Sequence, residues 1–221
     1  MKIITSSLFL MILTLISFSQ ISGKINPSEK LSDIDGNSYV IIRIGLQTWM
    51  SENLKVTRFN NGDAIPLISD SQSWFDSKSP GYCWYNNDGA RYKASSGALY
   101  NWYAVGTGRL CPAGWHLPDD TDWNILSEYI SSKIINADEK EKSIQMNTPD
   151  AERIYGNMFD IIAGGVRIGN GSFSLAGFNY WWSASESDTR GTIRYMYSDK
   201  ISIAADRYGK NYGFSVRCLK D

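Results

Sequence analysis

The side chains in this sequence that could do chemistry are few: one histidine, three cysteines and a group of acids near residue 119. A Cys–His or Ser–His nucleophile pair would have to use His116. A zinc site wants several His or Cys ligands, which a lone histidine does not supply. His116 lies in Gly114-Trp115-His116-Leu117-Pro118, just before an expected helix start, where a structural hydrogen-bonding role suits it better. Carboxylates for glycoside hydrolysis would come from Asp119, Asp120, Asp122 or Glu186, but that reaction needs two carboxyls set across a cleft. Helix capping, and the preference of acids for a helix N-terminus, account for Asp119 and Asp122. No catalytic residue is assigned. Asn60-Asn61-Gly62-Asp63 and Asn86-Asn87-Asp88-Gly89 place oxygen atoms on turns. Calcium takes roughly six to eight oxygens, so it is the one cofactor these stretches suggest. The competing reading is plain turn chemistry, which needs no metal.

Eight Trp and thirteen Tyr give the chain a second kind of chemistry. Aromatic side chains build cores, and through indole N–H and phenol O–H they also meet polar ligands. The ligand-binding surface nominated from sequence is Trp84, Tyr85, Asn86, Asn87 and Asp88, with Trp181, Trp182 and Glu186. The alternative places most of these tryptophans in the core.

The elements that must position these residues belong to a globular chain, with 43% hydrophobic and 20% charged residues. Residues 1–19 carry one positive charge at Lys2, an apolar run and small residues at Ser17 and Ser19, the pattern of a secretory signal cut before Gln20. A second candidate cut follows Gly23. The apolar run is shorter than the ~20 residues a transmembrane helix needs, and no later segment is apolar enough to span a membrane. Losing Lys2 from 22 basic and 23 acidic residues leaves 21 against 23, a net charge of −2. The basic residues are scattered, which argues against a nucleic-acid partner.

Export permits disulfides. With Cys83, Cys111 and Cys218, at most one bridge forms within the chain. Cys111–Cys218 is the favoured pair and Cys83–Cys111 the alternative. Cys83, inside Tyr82-Cys83-Trp84-Tyr85, reads as a small buried hydrophobe. Residues 20–30 read as a linker and 31–221 as the folded domain. Strands are expected at 39–44 and from Trp49 to Thr57, with closing strands at 193–197, 202–205 and 214–219. The strongest helix covers 119–134, with Asp119 as N-cap, Asp122 reaching back to it, and Trp123, Leu126, Ile130 and Ile134 on one buried face. Residues 164–191 read as loop with short strands.

Several ordered motifs point to one family. They are Asp33-Ile34-Asp35-Gly36-Asn37, then Ile44-Gly45-Leu46-Gln47-Thr48-Trp49-Met50-Ser51-Glu52-Asn53-Leu54, and Tyr82-Cys83-Trp84-Tyr85-Asn86-Asn87-Asp88. Next come Leu99-Tyr100-Asn101-Trp102-Tyr103-Ala104-Val105 and Cys111-Pro112-Ala113-Gly114-Trp115-His116-Leu117-Pro118. Trp182-Ser183-Ala184-Ser185-Glu186 and Gly213-Phe214-Ser215-Val216-Arg217-Cys218 close the set. Together they resemble the Fibrobacter succinogenes major paralogous domain family, exported bacterial domains of unknown activity, from about residue 31 onward. The pattern weakens between residues 131 and 160.

A more distant similarity joins His116-Leu117-Pro118-Asp119-Asp120-Thr121-Asp122-Trp123 and Gly213-Phe214-Ser215-Val216-Arg217 to formylglycine-generating enzymes. It implies an α+β, C-type-lectin-like fold: a small twisted antiparallel sheet, about two helices and long irregular loops. It does not imply their activity, because fold and function separate, and their cysteine-containing active-site segment is not found here. The expected function is therefore an exported, non-catalytic binding or adhesion module, with a glycan or a cell-surface protein as partner. The rivals are a structural component of a surface assembly and an enzyme with an unrecognised groove.

Overall fold

The computed structural model describes residues 24–138, 164–175, 178–197 and 203–221. The expected signal sequence, and most of the segment where the family pattern weakens, lie outside the described residues, as does the side chain of Ile134.

The fold is α+β, with three antiparallel sheets and four helices among the described residues. The first sheet begins with β1 (Lys24–Ser32), β2 (Ser38–Ile44) and β3 (Gln47–Met50). Its order is β1-β2-β3-β13-β6, where β6 is Trp115–His116 and β13 is Leu219–Lys220, so the end of the sequence joins its first strands. The second sheet runs β4-β5-β12-β7-β8, from β4 (Tyr82–Cys83), β5 (Leu99–Asn101), β7 (Val166–Arg167), β8 (Phe173–Ser174) and β12 (Gly213–Phe214). The third, β11-β10-β9, holds β9 (Phe178–Ser187), β10 (Arg190–Tyr197) and β11 (Ile203–Gly209).

Three of these outcomes differ from the sequence reading. Most of the stretch read as linker is β1; it pairs with β2 around an irregularity between Ile25 and Lys30, and Pro27 is tolerated because β1 is an edge strand, where a missing N–H costs little. The strand expected from Trp49 stops at Met50. Beyond it Leu54 N–H donates to the Val216 carbonyl and accepts from Ala98 N–H at its own carbonyl, while the buried Asn53 side chain binds Ser96 O and Ser215 Oγ. Finally, the segment read as loop with short strands contains β9, ten residues long. Its neighbour β10 pairs with it from Tyr197↔Phe178 to Arg190↔Ser187, shifting register between Gly191 and Ile193.

Strand geometry sends successive side chains to opposite faces. In β9, Trp181 enters a core with Ile42, Ile44, Trp49, Trp123, Leu126, Ile130, Met196 and Leu219. Trp182, the next residue, enters the larger core with Tyr100, Trp102, Ile193, Phe214 and Val216. This stretch of β9 is therefore packed on both faces.

The strongest expected helix is α4 (Asp120–Asp138). Asp119 Oδ1 accepts the N–H groups of Thr121 and Asp122, and Asp122 Oδ2 accepts Asp119 N–H, completing the reciprocal cap. Trp123, Leu126 and Ile130 are buried as expected. The other helices, α1 (Ser71–Asp76), α2 (Gly89–Ser96) and α3 (Trp102–Val105), are short and N-capped by Asp70, Asp88 and Asn101. They raise the helix number above the expected two.

Cys111 and Cys218 form the disulfide, with a sequence separation of 107, and Cys83 is free and buried. Burial pushes the Cys83 thiol up to about 12, against the lowering influence of Arg167. No described helix is long and apolar enough to cross a membrane.

Candidate functional site

The surface nominated from sequence separates into pieces. Trp84 and Tyr85 are buried, while Asn86, Asn87 and Asp88 are exposed. Asn86 and Asn87 sit at φ 51° and 56°, left-handed backbone that Asn accepts more readily than most residues. Asn87 Nδ2 donates to Ser69 O, and its Oδ1 accepts from Arg167 Nη1. Asp88 Oδ1 caps α2 by accepting Arg91 N–H. Arg167, wholly buried, also donates to Ile68 O and Ser69 O, with its guanidinium over the rings of Trp74 and Phe173 at 4.6 and 4.8 Å. This stretch is a pinned corner in which Asn87 Oδ1 and Asp88 Oδ1 hold hydrogen bonds within the protein.

The other turn is similar: Asn61 Nδ2 binds Asp63 Oδ2, and Asp63 meets Arg109 at 3.4 Å. Among the described residues no three His, Cys, Asp or Glu side chains converge as a metal site. The hydrogen bonds at both turns are the turn chemistry that needs no metal.

Trp181 and Trp182 do not face solvent. Their indole N–H groups donate to Asn53 Oδ1 and Tyr100 O, and the two rings belong to different cores. Glu186 is exposed, but its Oε2 accepts from Trp102 Nε1 at 3.0 Å and Lys210 Nζ at 2.7 Å. Lys210 and then Trp102 hold its carboxyl below the usual carboxylate range. The binding surface drawn through these two tryptophans is corrected: burial removes both ring faces from any ligand.

The catalytic candidates are also engaged. His116 Nδ1 lies 2.7 Å from Asp221 Oδ1 and Nε2 3.2 Å from Asp122 Oδ2, so both ring nitrogens face carboxylates rather than a nucleophile. Asp120 pairs with Arg194 at 2.9 Å and accepts from Ser183 Oγ. Asp119 and Asp122 cap α4.

The structure instead gathers tyrosines from four places in the sequence. Tyr180 of β9 lies opposite Tyr195 of β10, ring centroids 5.7 Å apart. Tyr208 at the end of β11 and Tyr212 beyond the turn lie 5.0 Å apart. Buried Phe214 joins them: its centroid is 5.6 Å from Tyr180, 5.3 Å from Tyr208 and 5.8 Å from Tyr212, the last nearly parallel at 13°. All four tyrosines are half-buried and line the margin of the larger core. Burial, then Asp206, raises the Tyr208 phenol, which stays protonated and able to donate.

Asn211 fixes one end of this ridge. Its carbonyl accepts Trp74 Nε1 at 2.6 Å, and its Nδ2 donates to Gly169 O at 2.9 Å. Gly169 is required there, since a Cβ would lie 2.9 Å from the Tyr212 ring. Phe75, half exposed on α1, carries a carbonyl within 3.5 Å of Asn211 Nδ2. The result is aromatic surface beside amide and phenol groups. Sequence reasoning passed over it because it looked for tryptophans. The available signal was the tyrosines at 180, 195, 208 and 212, but bringing them together requires the β9–β10 register.

A family model described as the Fibrobacter succinogenes major domain matches residues 42–220. The match begins after the Asp33–Asn37 turn, which was read as the first motif of the family. No curated protein and no solved structure matches the chain.

Proposed function

The chain belongs to the Fibrobacter succinogenes major domain family, and from that premise we propose that it is an exported, non-catalytic binding module that takes carbohydrate on the tyrosine ridge. The observation that carries the reading is the clustering of Tyr180, Tyr208 and Tyr212 around Phe214, with Tyr195 against Tyr180. A pyranose has an apolar C–H face and a polar rim, and half-buried tyrosines offer ring surface together with a hydroxyl. Asn211, next to Tyr212 in the chain, adds an amide group at one end. Residues 1–19 supply the export signal in this reading. Three antiparallel sheets joined by long connections and a disulfide that ties residue 218 to residue 111 are in keeping with a C-type-lectin-like fold, though one used without calcium.

The test is a glycan and polysaccharide array with protein beginning at Gln20, run with calcium and with chelator. The expected result is saturable binding that chelator leaves unchanged and that Tyr208→Ala or Tyr212→Ala weakens at least tenfold, about 1.4 kcal/mol. Folded protein that binds no glycan, or binding indifferent to both substitutions, rejects the ridge.

A second reading, a protein-interaction component of a cell-surface assembly, draws on Leu46, Leu67, Phe75 and Leu175, large apolar side chains left exposed. In that case a partner would be captured by the folded domain with no glycan affinity.

A further inference from the structure

We infer that His116 is a doubly protonated latch, tying Asp221 to the N-terminal turn of α4 and releasing it as pH rises. The geometry carries the argument. Strand β6 pairs with β13 through His116↔Leu219 and Trp115↔Lys220, and Asp221 N–H donates to Gly114 O. This register sets His116 Nδ1 2.7 Å from Asp221 Oδ1. The other ring nitrogen reaches across to Asp122 Oδ2 at 3.2 Å, the same oxygen that accepts Asp119 N–H in the α4 cap. Ionised carboxylates only accept hydrogen bonds. A neutral imidazole has one N–H, so it would satisfy one carboxylate and turn a lone pair toward the other. Only the imidazolium, with two N–H groups, fits both.

The charged surroundings favour that form. From the start of α4 come Asp119, Asp120 and Asp122, of which Asp120 is paired with Arg194. From β13 and beyond come Lys220 and Asp221. Partial burial of the ring pulls its pKa down, but the hydrogen bonds and charges of Asp221 and Asp122 outweigh this and raise it above the ordinary histidine value. A folded-state pKa above the unfolded one contributes stability that is complete at low pH and lost as pH rises through the folded value. The opening is local. Cys218 is stapled to Cys111, and Leu219 is buried in the α4 core, so release concerns Lys220 and Asp221. His116 is the only histidine, so its ring signals are uniquely assigned. The latch does not depend on the ligand reading.

The experiment is an NMR titration of the ring nitrogens in the purified protein, with protection factors for the Asp221 amide, which remove the intrinsic pH dependence of exchange. The expected result is both nitrogens protonated below the midpoint, and a midpoint about half a pH unit or more lower in Asp221→Asn, less than for a buried pair because both side chains meet solvent. Asp221 protection should fall severalfold across the wild-type titration and stay flat in His116→Gln. Asp122→Asn also touches the α4 cap, so Asp221→Asn is the decisive variant. An unchanged midpoint in Asp221→Asn, or protection that ignores pH in the wild type, overturns the latch.

Discussion

Trp181 and Tyr180 are neighbours in one strand, yet they belong to two aromatic populations that the molecule uses differently. Seven of its eight tryptophans are buried, and most of those spend the indole N–H on a carbonyl or side-chain oxygen inside the protein. The ridge tyrosines stop at the core margin, with rings against Phe214 and part of their surface open. A large ring with one donor can be fully paid off by one internal acceptor, so tryptophan goes inside. A phenol that both donates and accepts is more readily served at a wet margin. The same abundance of aromatic residues thus supplies a core in one region and a candidate binding face in the other.

The sharpest way to break this contrast is to truncate one member of each population. Trp182 is fully buried, and its indole bonds to Tyr100 O. Trp182→Ala should cost about 3–5 kcal/mol in chemical denaturation, through lost burial and a cavity. Tyr208→Ala should cost only about 1–2 kcal/mol, because its side chain is only half-buried, while weakening ligand binding at least tenfold. Equal losses of stability would put Tyr208 in the core and end its claim to a separate role.

The staple between the two regions comes next in size. Phe214 of the ridge lies four residues before Cys218, whose partner Cys111 stands in the loop between α3 and β6. Replacing both cysteines with alanine should lower stability by about 2–4 kcal/mol, since the bridge closes a long loop in the unfolded chain. If closure is the main contribution, folded Cys111→Ala/Cys218→Ala protein keeps its ligand affinity in native conditions. A loss of affinity with the fold retained would mean that the bridge also shapes the ridge.

How far the sequence reading reached follows the same division. The α4 helix was legible because its cap residues and its apolar spacing are both local, and the Cys111–Cys218 pair because few pairings were available. The strand β9 was not. Asn179, Trp181 and Trp182 are buried together, so the alternation that marks a half-exposed strand is missing where β9 is covered on both faces. Helices α1, α2 and α3 are too short to show periodicity and are held by Asp70, Asp88 and Asn101 caps that resemble turn residues. The ridge was illegible for a different reason. Tyr180 meets Tyr195 only through strand register, and Tyr180 is joined to Tyr208 and Tyr212 only through Phe214 of β12.

The smallest expected effect tests whether α4 acts as scaffold alone. Asp119 sits at the helix start, away from the ridge, and accepts two backbone N–H groups there. Asp119→Ala leaves these donors to water and should cost about 1 kcal/mol, the usual worth of an N-cap. Asp119→Asn keeps an accepting oxygen and should recover most of that loss. Neither substitution should alter ligand binding at Tyr208 and Tyr212, because α4 packs on the Trp181 face of β9 whereas the ridge belongs to the Trp182 face. Binding that falls with Asp119→Ala at full occupancy of the folded state would mean that the two faces of β9 are coupled, and that the core is more than support for the ridge.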